Sequence, residues 1–480
     1  MYIELSSTTK AVQKAEIIEE ISIQLKDNYP DSALAILNQG IDLIKKEENN
    51  PKARNQDELL MSMAFLMYRK ADILASFSRN YEQAKEYLQQ ANINGKKAAD
   101  LNKGNASRYD LLRGNIYLVK GNIDFFVNNY DSCLVNYKNA SELFKITGNT
   151  FDLMRCYNNM GSVNRIIENF GTALEYLVEA LNYFEETNDK SSLSAVYTNI
   201  GLIYESISDF PQAVDYFQKA MQINEEIGNT RLMAINSLNL GNVFLNLGEI
   251  QKARYYYELS LNNNTKINNR LGVANAMINL AGVYYALNDT LKFKEFYNNG
   301  VTIFKEIQNW EGYASSLHKY GESLLDLKQY DKALKTLMES REVFSRINNR
   351  LGIVGVDEII ASLYKETGNP QKAIQIASQA YEEAVKNDFK LNSLKLSQLL
   401  STLWEEQGNP TRSLFYLKAY NAFNDELNAI ESHKNVMEME ARFQSEKKQS
   451  QIDFLKNQSE LDALKIKHQR LFIYLSIGVI

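Results

Sequence analysis

Small side chains recur every forty residues, and few folds accommodate such a beat. Positions 121, 161, 201, 241, 281, 321, 361 and 401 hold Gly, Gly, Gly, Gly, Ala, Gly, Ala and Ser. Twelve residues after each come Cys133, Ala173, Ala213, Ala253, Phe293, Ala333, Ala373 and Ser413. Seven further on stand Ala140, Ala180, Ala220, Ser260, Gly300, Ser340, Ala380 and Tyr420. A chain that repeats one supersecondary unit stacks it, so its length need not reflect a single globular core. Phe293 and Tyr420 break the pattern, which predicts less regular packing in the fifth and eighth units.

Between these marks the apolar residues keep helical time. In the fourth unit Leu232, Ile235, Leu238, Val243 and Leu247 recur at three to five residues, and after "GEI" the rhythm resumes with Ala253, Tyr256, Tyr257 and Leu261. That spacing predicts two amphipathic helices joined by a short turn. Turn signals "GN", "ND", "NN" and "QN" recur near 148, 188, 228, 268, 308 and 348. "GNP" at Gly368–Pro370 and Gly408–Pro410 reads as a helix ending on Gly and the next starting with Pro in its first turn.

Composition narrows the function classes. With 45% hydrophobic residues, 23% charged residues and five prolines in 480, the chain is folded and helix-permissive. A net charge of −6 gives no overall basic footprint for nucleic acid. Cys133 and Cys156 make neither a disulfide framework nor a metal set, and are read as packing residues. The three histidines, His318, His433 and His468, are too scattered for a zinc site. No Gly-rich phosphate loop, HExxH, nucleophile elbow or kinase signature is present. No catalytic residue, metal site or cofactor is therefore assigned.

The marks Asn239-Leu240-Gly241, Phe244, Ala253 and Ser260, and before them Asn199-Ile200-Gly201, Tyr204, Ala213 and Ala220, resemble the tetratricopeptide repeat family in a forty-residue form. The resemblance implies an all-α superhelix of helical hairpins, an α-solenoid. Residues 110–425 would hold eight repeats, and 1–109 irregular helices of related kind marked by Ala33 and Ala84. In this family a concave surface lined by first helices binds peptides or protein segments. Carried over residue by residue, its groove positions give Arg155, Asn158 and Arg165, then Thr198 and Glu205, then Asn242, then Asn275 and Tyr285, and finally His318 and Glu322. Gly282 also falls in this series. These positions vary between repeats while the small marks do not. Asn159, Asn199, Asn239 and Asn279 look like a binding ladder, but coincide with the family's structural Asn and are assigned local hydrogen bonding. Arg270 and Arg350 are read as decorating the turn edge.

After about residue 425 the beat stops. Residues 426–470 read as one long charged helix, whose seven-residue apolar spacing through Val436, Phe443, Leu464 and Leu471 is broken by Ser450 and Asn457. A coiled coil, and a homodimer through it, stay open. The stretch 471–480, "LFIYLSIGVI", follows Lys465, Lys467, His468 and Arg470 and is read as the start of a truncated transmembrane helix, with a buried terminal helix as the alternative. An array followed by such a helix also resembles the sensor region of Bacteroidetes-type membrane signalling proteins, which continue into a histidine kinase or a DNA-binding regulator. The resulting expectation is a peptide- or protein-binding sensor that is membrane-associated and single-pass. Its array would be periplasmic if a signal peptide was removed, or else cytoplasmic. A non-catalytic assembly scaffold and an intracellular peptide-responsive regulator are the alternatives.

Overall fold

The structure, a computed structural model, describes residues 10–26, 29–49, 55–428 and Lys465. Every regular element among them is helical. From Thr150 to Glu406 helices begin every twentieth residue, running Thr150–Ile166, Phe170–Thr187, Lys190–Ser206, Phe210–Glu226 and onward in the same step to Lys390–Glu406. A helix over 410–428 completes the last pair. With Ala106–Phe126 and Tyr130–Thr147 in front, they make eight antiparallel hairpins, and in the first seven each helix packs most extensively on its own hairpin partner. Two compact units result, one through Asn229 and one from Thr230. The first holds hairpins one to three and the helices before them; the second holds hairpins four to eight.

The turns explain the step. From 128 to 408, every twentieth residue has positive φ, five of them glycines such as Gly148 and Gly248, and five of the other ten Asn. At most of these turns the residue after it then caps the next helix. Asn149, Asp189, Asn269, Asn309 and Asn349 each accept a hydrogen bond from the backbone N–H three residues on. One residue reverses the chain and the next satisfies an orphan donor of the new helix. The sequence signals near 148 to 348 are this pair of roles.

The small series is where the two helices of a hairpin meet. A Cβ added at Gly241 would lie 2.5 Å from the Tyr257 ring, and one at Gly201 would lie 2.7 Å from Phe217. The same clash recurs at Gly121, Gly161 and Gly321 against the residue sixteen positions later. Phe217 and Tyr257 are buried by this approach, each worth roughly 2–3 kcal/mol of apolar burial. The third series closes the other end of the hairpin. Ser260 Oγ donates to the Ala234 carbonyl at 2.9 Å, and Ser340 Oγ to that of Ala314 at 2.8 Å. Cys133 and Cys156 are free and buried, and burial pushes both thiols up to about 12. They are inert packing groups.

The fifth hairpin, Arg270–Ala286 with Thr290–Glu306, departs from this rule as its sequence predicts. Ala281 replaces the glycine, and Phe293 is buried among Tyr285, Tyr297 and Tyr320. Its junction with the sixth hairpin is thinner than the junctions on either side. Arg270 and Arg350 do more than decorate an edge. Arg270 pairs with Glu306, and Arg350 with Glu383 at 3.2 Å, as Lys190 does with Glu226 at 2.7 Å. A cation opening one helix and a carboxylate closing another each oppose the helix dipole, so each offsets the other's cost.

In the N-terminal hairpins the charges are paired at long range. Arg69 meets Glu19 at 3.0 Å, and Asp72, 8% exposed, meets Lys26 at 3.7 Å.

Candidate functional site

In the first unit the expected groove residues stand on Thr150–Ile166 and Lys190–Ser206, and most are bonded to the protein itself. Arg155 is half-buried and pairs with Asp152, one turn earlier, at 2.7 Å. Asn158 donates to Asn159 Oδ1 at 3.3 Å and accepts from Asn199 Nδ2 at 2.8 Å. Asn159 in turn donates to Asn122 Oδ1 at 3.2 Å, an oxygen that also accepts the Tyr137 hydroxyl at 2.8 Å. A continuous amide ladder thus runs through the first three hairpins, with Asn159 and Asn199 in the local bonding role assigned to them. Thr198 is buried and donates to the Ser194 carbonyl at 2.9 Å. Arg165 and Glu205 are half-buried and couple electrostatically. Burial lowers the arginine and raises the carboxyl, each partly opposed by the other's charge. Arg165 Nε is buried without a partner.

The second unit presents a different surface. Asn242 accepts the Tyr257 hydroxyl at 2.9 Å, and Asn275 is exposed. Tyr285 donates to Asp326 Oδ2 at 3.3 Å. His318 is half-buried on Trp310–Asp326, and a Cβ at Gly355 would come within 3.1 Å of its Cε1. Around it the fold gathers groups from three successive first helices. Glu358, on Arg350–Glu366, meets Lys395 Nζ at 3.5 Å and accepts from Asn392 Nδ2 at 3.2 Å, both on Lys390–Glu406. Its side chain is 13% exposed. Burial raises the Glu358 carboxyl above the ordinary range, against Lys395 and Asn392, and the nearby charge of Glu322 adds to the rise. Burial lowers His318, and Lys319 and Lys395 lower it further. The arrangement offers one carboxylate, one neutral-leaning imidazole, one ammonium and one amide within a shallow face. It can hydrogen-bond a polar chain at several points, and it mixes charge signs.

Glu358, Asn392, Lys395 and Gly355 were not among the expected groove residues. The signal was present: Gly355, Glu358 and Lys395 continue the 155/158 series through the seventh and eighth repeats, beyond Glu322, the last residue assigned to it.

The family model for the tetratricopeptide repeat matches residues 152–226 and 231–306. Those two stretches are tetratricopeptide repeats, and the other described hairpins repeat the same fold. Solved structures similar to it include a Rap protein complexed with competence and sporulation factor, at 14% identity and TM-score 0.51, covering 78% of this chain and 99% of that one. The apo form of the quorum sensor NprR from B. thuringiensis is similar at 15% identity and TM-score 0.51, covering 76% and 99%. A signal transduction ATPase with numerous domains and a tetratricopeptide sensor, from Pyrococcus horikoshii, is similar at 14% identity and TM-score 0.57, covering 90% of this chain and 66% of that one. At these identities the likeness is one of fold. No curated protein matches the chain in sequence.

An open pocket of about 390 Å³ also lies between the sixth and seventh hairpins, lined by Arg341, Arg350, Asp357 and Glu383 among others. Its charges are already matched, Arg341 gripping Asp357 through two bonds at 2.6 and 2.9 Å. Among the described residues no group of His, Cys, Asp or Glu is placed to hold a metal ion.

The expectation of a transmembrane helix, and with it a membrane-associated, single-pass location with a periplasmic array, is corrected. Among the described residues no helix is long and apolar enough to cross a membrane. The stretch 471–480 that suggested one lies outside the described residues. The coiled-coil reading of 426–470 likewise lies almost wholly outside them.

Proposed function

We propose that this protein is a non-catalytic, peptide-responsive regulator whose recognition surface lies on the first helices of the second unit, around His318, Glu322, Glu358, Asn392 and Lys395. The array is a protein- or peptide-binding tetratricopeptide module, and one observation carries the finer reading. A nearly buried carboxylate, Glu358, stands among polar groups from three successive repeats. A lone ion pair this covered contributes little to stability, because desolvation offsets its attraction. Its use lies in discrimination: a chain with complementary donors and acceptors displaces water from it, and a mismatched chain leaves it unpaired. The likeness to a Rap protein complexed with competence and sporulation factor and to a quorum sensor supports this reading. The first unit, with its amides bonded to each other, serves as a framework.

The test is selection of dodecapeptides from a displayed library on the intact chain, followed by affinity measurement on variants. Glu358→Ala and His318→Ala should each weaken the selected peptides by about tenfold or more, as for partly buried anchors, while circular dichroism stays helical. Asn158→Ala should change affinity little. Peptides held equally by all variants would move recognition elsewhere.

A further inference from the structure

The junction between the sixth and seventh hairpins holds charge where the junction before it holds hydrocarbon. Between the fifth and sixth hairpins, Leu317 and Val343 are buried in one apolar cluster and Val301 packs against it. Forty residues after Val301, Leu317 and Val343 come Arg341, Asp357 and Glu383. All three line the pocket of about 390 Å³, together with Arg350 and an apolar patch of Ile353, Val354 and Ala380.

Folding alone does not favour this exchange. Asp357 is 8% exposed, and replacing so covered an ion pair by apolar side chains of similar volume is often neutral or stabilising. The charged groups also keep capacity for a further partner. A guanidinium carries five N–H donors. Arg341 donates through Nε and Nη2 to Asp357, and Arg350 through Nη1 to Glu383 at 3.2 Å and Asn387 at 3.5 Å. Arg341, Arg350 and Glu383 all have side chains more than a third exposed, so a ligand in the open pocket can reach them.

The balance of charge selects the ligand. Two guanidiniums and two carboxylates line the pocket. A lone anion there meets Asp357 and Glu383, and a lone cation meets Arg341 and Arg350. A molecule carrying both signs finds a partner for each. The volume stands near the lower end of the range for ligand sites, about 300–1,000 Å³, which suits a single small zwitterion.

We propose that this pocket binds a free α-amino acid with an aliphatic side chain, its carboxylate on the open donors of Arg341 and Arg350 and its ammonium on Glu383. The side chain lies against Ile353, Val354 and Ala380. The site is separate from the proposed peptide surface, although one helix serves both. On Arg350–Glu366, Asp357 lines the pocket, while Glu358, the next residue, meets Lys395 and Asn392.

The test is saturation-transfer NMR titration of the intact chain with three probes. They are L-leucine, 4-methylpentanoate, which lacks its ammonium, and 3-methylbutylamine, which lacks its carboxylate. Wild-type protein should bind leucine, and each half-molecule should bind about tenfold or more weakly, as when one member of a charge pair is removed. The double variant Arg341→Val with Asp357→Leu copies the fifth–sixth junction; it should melt no lower than wild type and lose leucine binding. Glu383→Gln keeps the shape of the pocket and should weaken leucine by about tenfold or more. It decides the matter alone if the double variant does not fold. Absence of leucine binding in wild type, equal affinity for leucine and either half-molecule, or unchanged affinity in Glu383→Gln overturns the proposal.

Discussion

The fourth and fifth hairpins occupy adjacent places in one register and solve the same packing problem differently. In the fourth, Gly241 lets the Tyr257 ring approach the first helix and Asn242 takes its hydroxyl. In the fifth, Ala281 holds the smallness less strictly, Gly282 faces open space, and the buried Tyr297 hydroxyl has no partner. The difference teaches that glycine has two uses here. At the first position it is a packing requirement. At the second it faces open space and costs helix propensity.

The largest break in this comparison should come from the packing glycine. Gly241→Val places a branched carbon against a ring 2.5 Å away, and should lower stability by about 3 kcal/mol. Gly282→Ala meets open space and should raise it by about 0.5–1 kcal/mol. Urea unfolding of the two variants reads the contrast, and shifts of the same sign would refute the assignment of roles. The hydroxyl pair gives the next effect. Asn242→Ala removes the bond from the Tyr257 hydroxyl and should cost about 0.5–1.5 kcal/mol, whereas Tyr297→Phe removes a hydroxyl that has no partner and should be neutral or stabilising by about 1 kcal/mol or less.

A smaller effect comes from the turns. Lys328 holds φ at 57° where Gly248 and Gly368 serve the same turn in other repeats. Lys328→Gly should raise the melting midpoint by the equivalent of about 1 kcal/mol, and Gly248→Lys should lower it by a similar amount.

The smallest effects are those of pH on the half-buried cluster. His318 titrates below its ordinary 6.5 because of burial and its lysine neighbours. The unfolded chain therefore takes up this proton first, and stability falls as pH drops from about 6.5 through the folded value. Glu358 is raised above its ordinary 4.5 by burial. Its unfolded form ionises first, so its contribution is lost as pH rises from about 4.5 through the folded value. Melting curves between about pH 4 and 8 should show His318→Gln flattening the first slope and Glu358→Gln the second. Exchanged assignments would mean that the burial causes are wrong.

How much of this was legible depends on range. The period, the turn residues near 148 to 348 and the close approach at Gly121 to Gly321 are local in sequence, and each was readable from residue type and spacing. So was the irregular fifth repeat, from Phe293 alone. Partnerships across repeats were not. Nothing in residue type alone says that Asn158 would spend its amide on Asn159 and Asn199, or that Thr198 would turn to its own helix. Glu358 and Lys395 were within reach of the same forty-residue step, which was stopped two repeats early. The charge pairs Glu19–Arg69 and Lys26–Asp72 join residues some fifty apart without any periodic cue. The terminal apolar run misled because hydropathy reports a preference for burial, not what does the burying.

The lock of each glycine on its ring closes within a single hairpin, and the turn that follows restores the same backbone phase. A copying slip that adds or drops forty residues therefore leaves every surviving lock intact. A gene of this kind can lengthen or shorten its product by one whole row in a single event. The composition of the row can then drift at positions such as 242, 282 and 322 without reopening the question of how the chain folds.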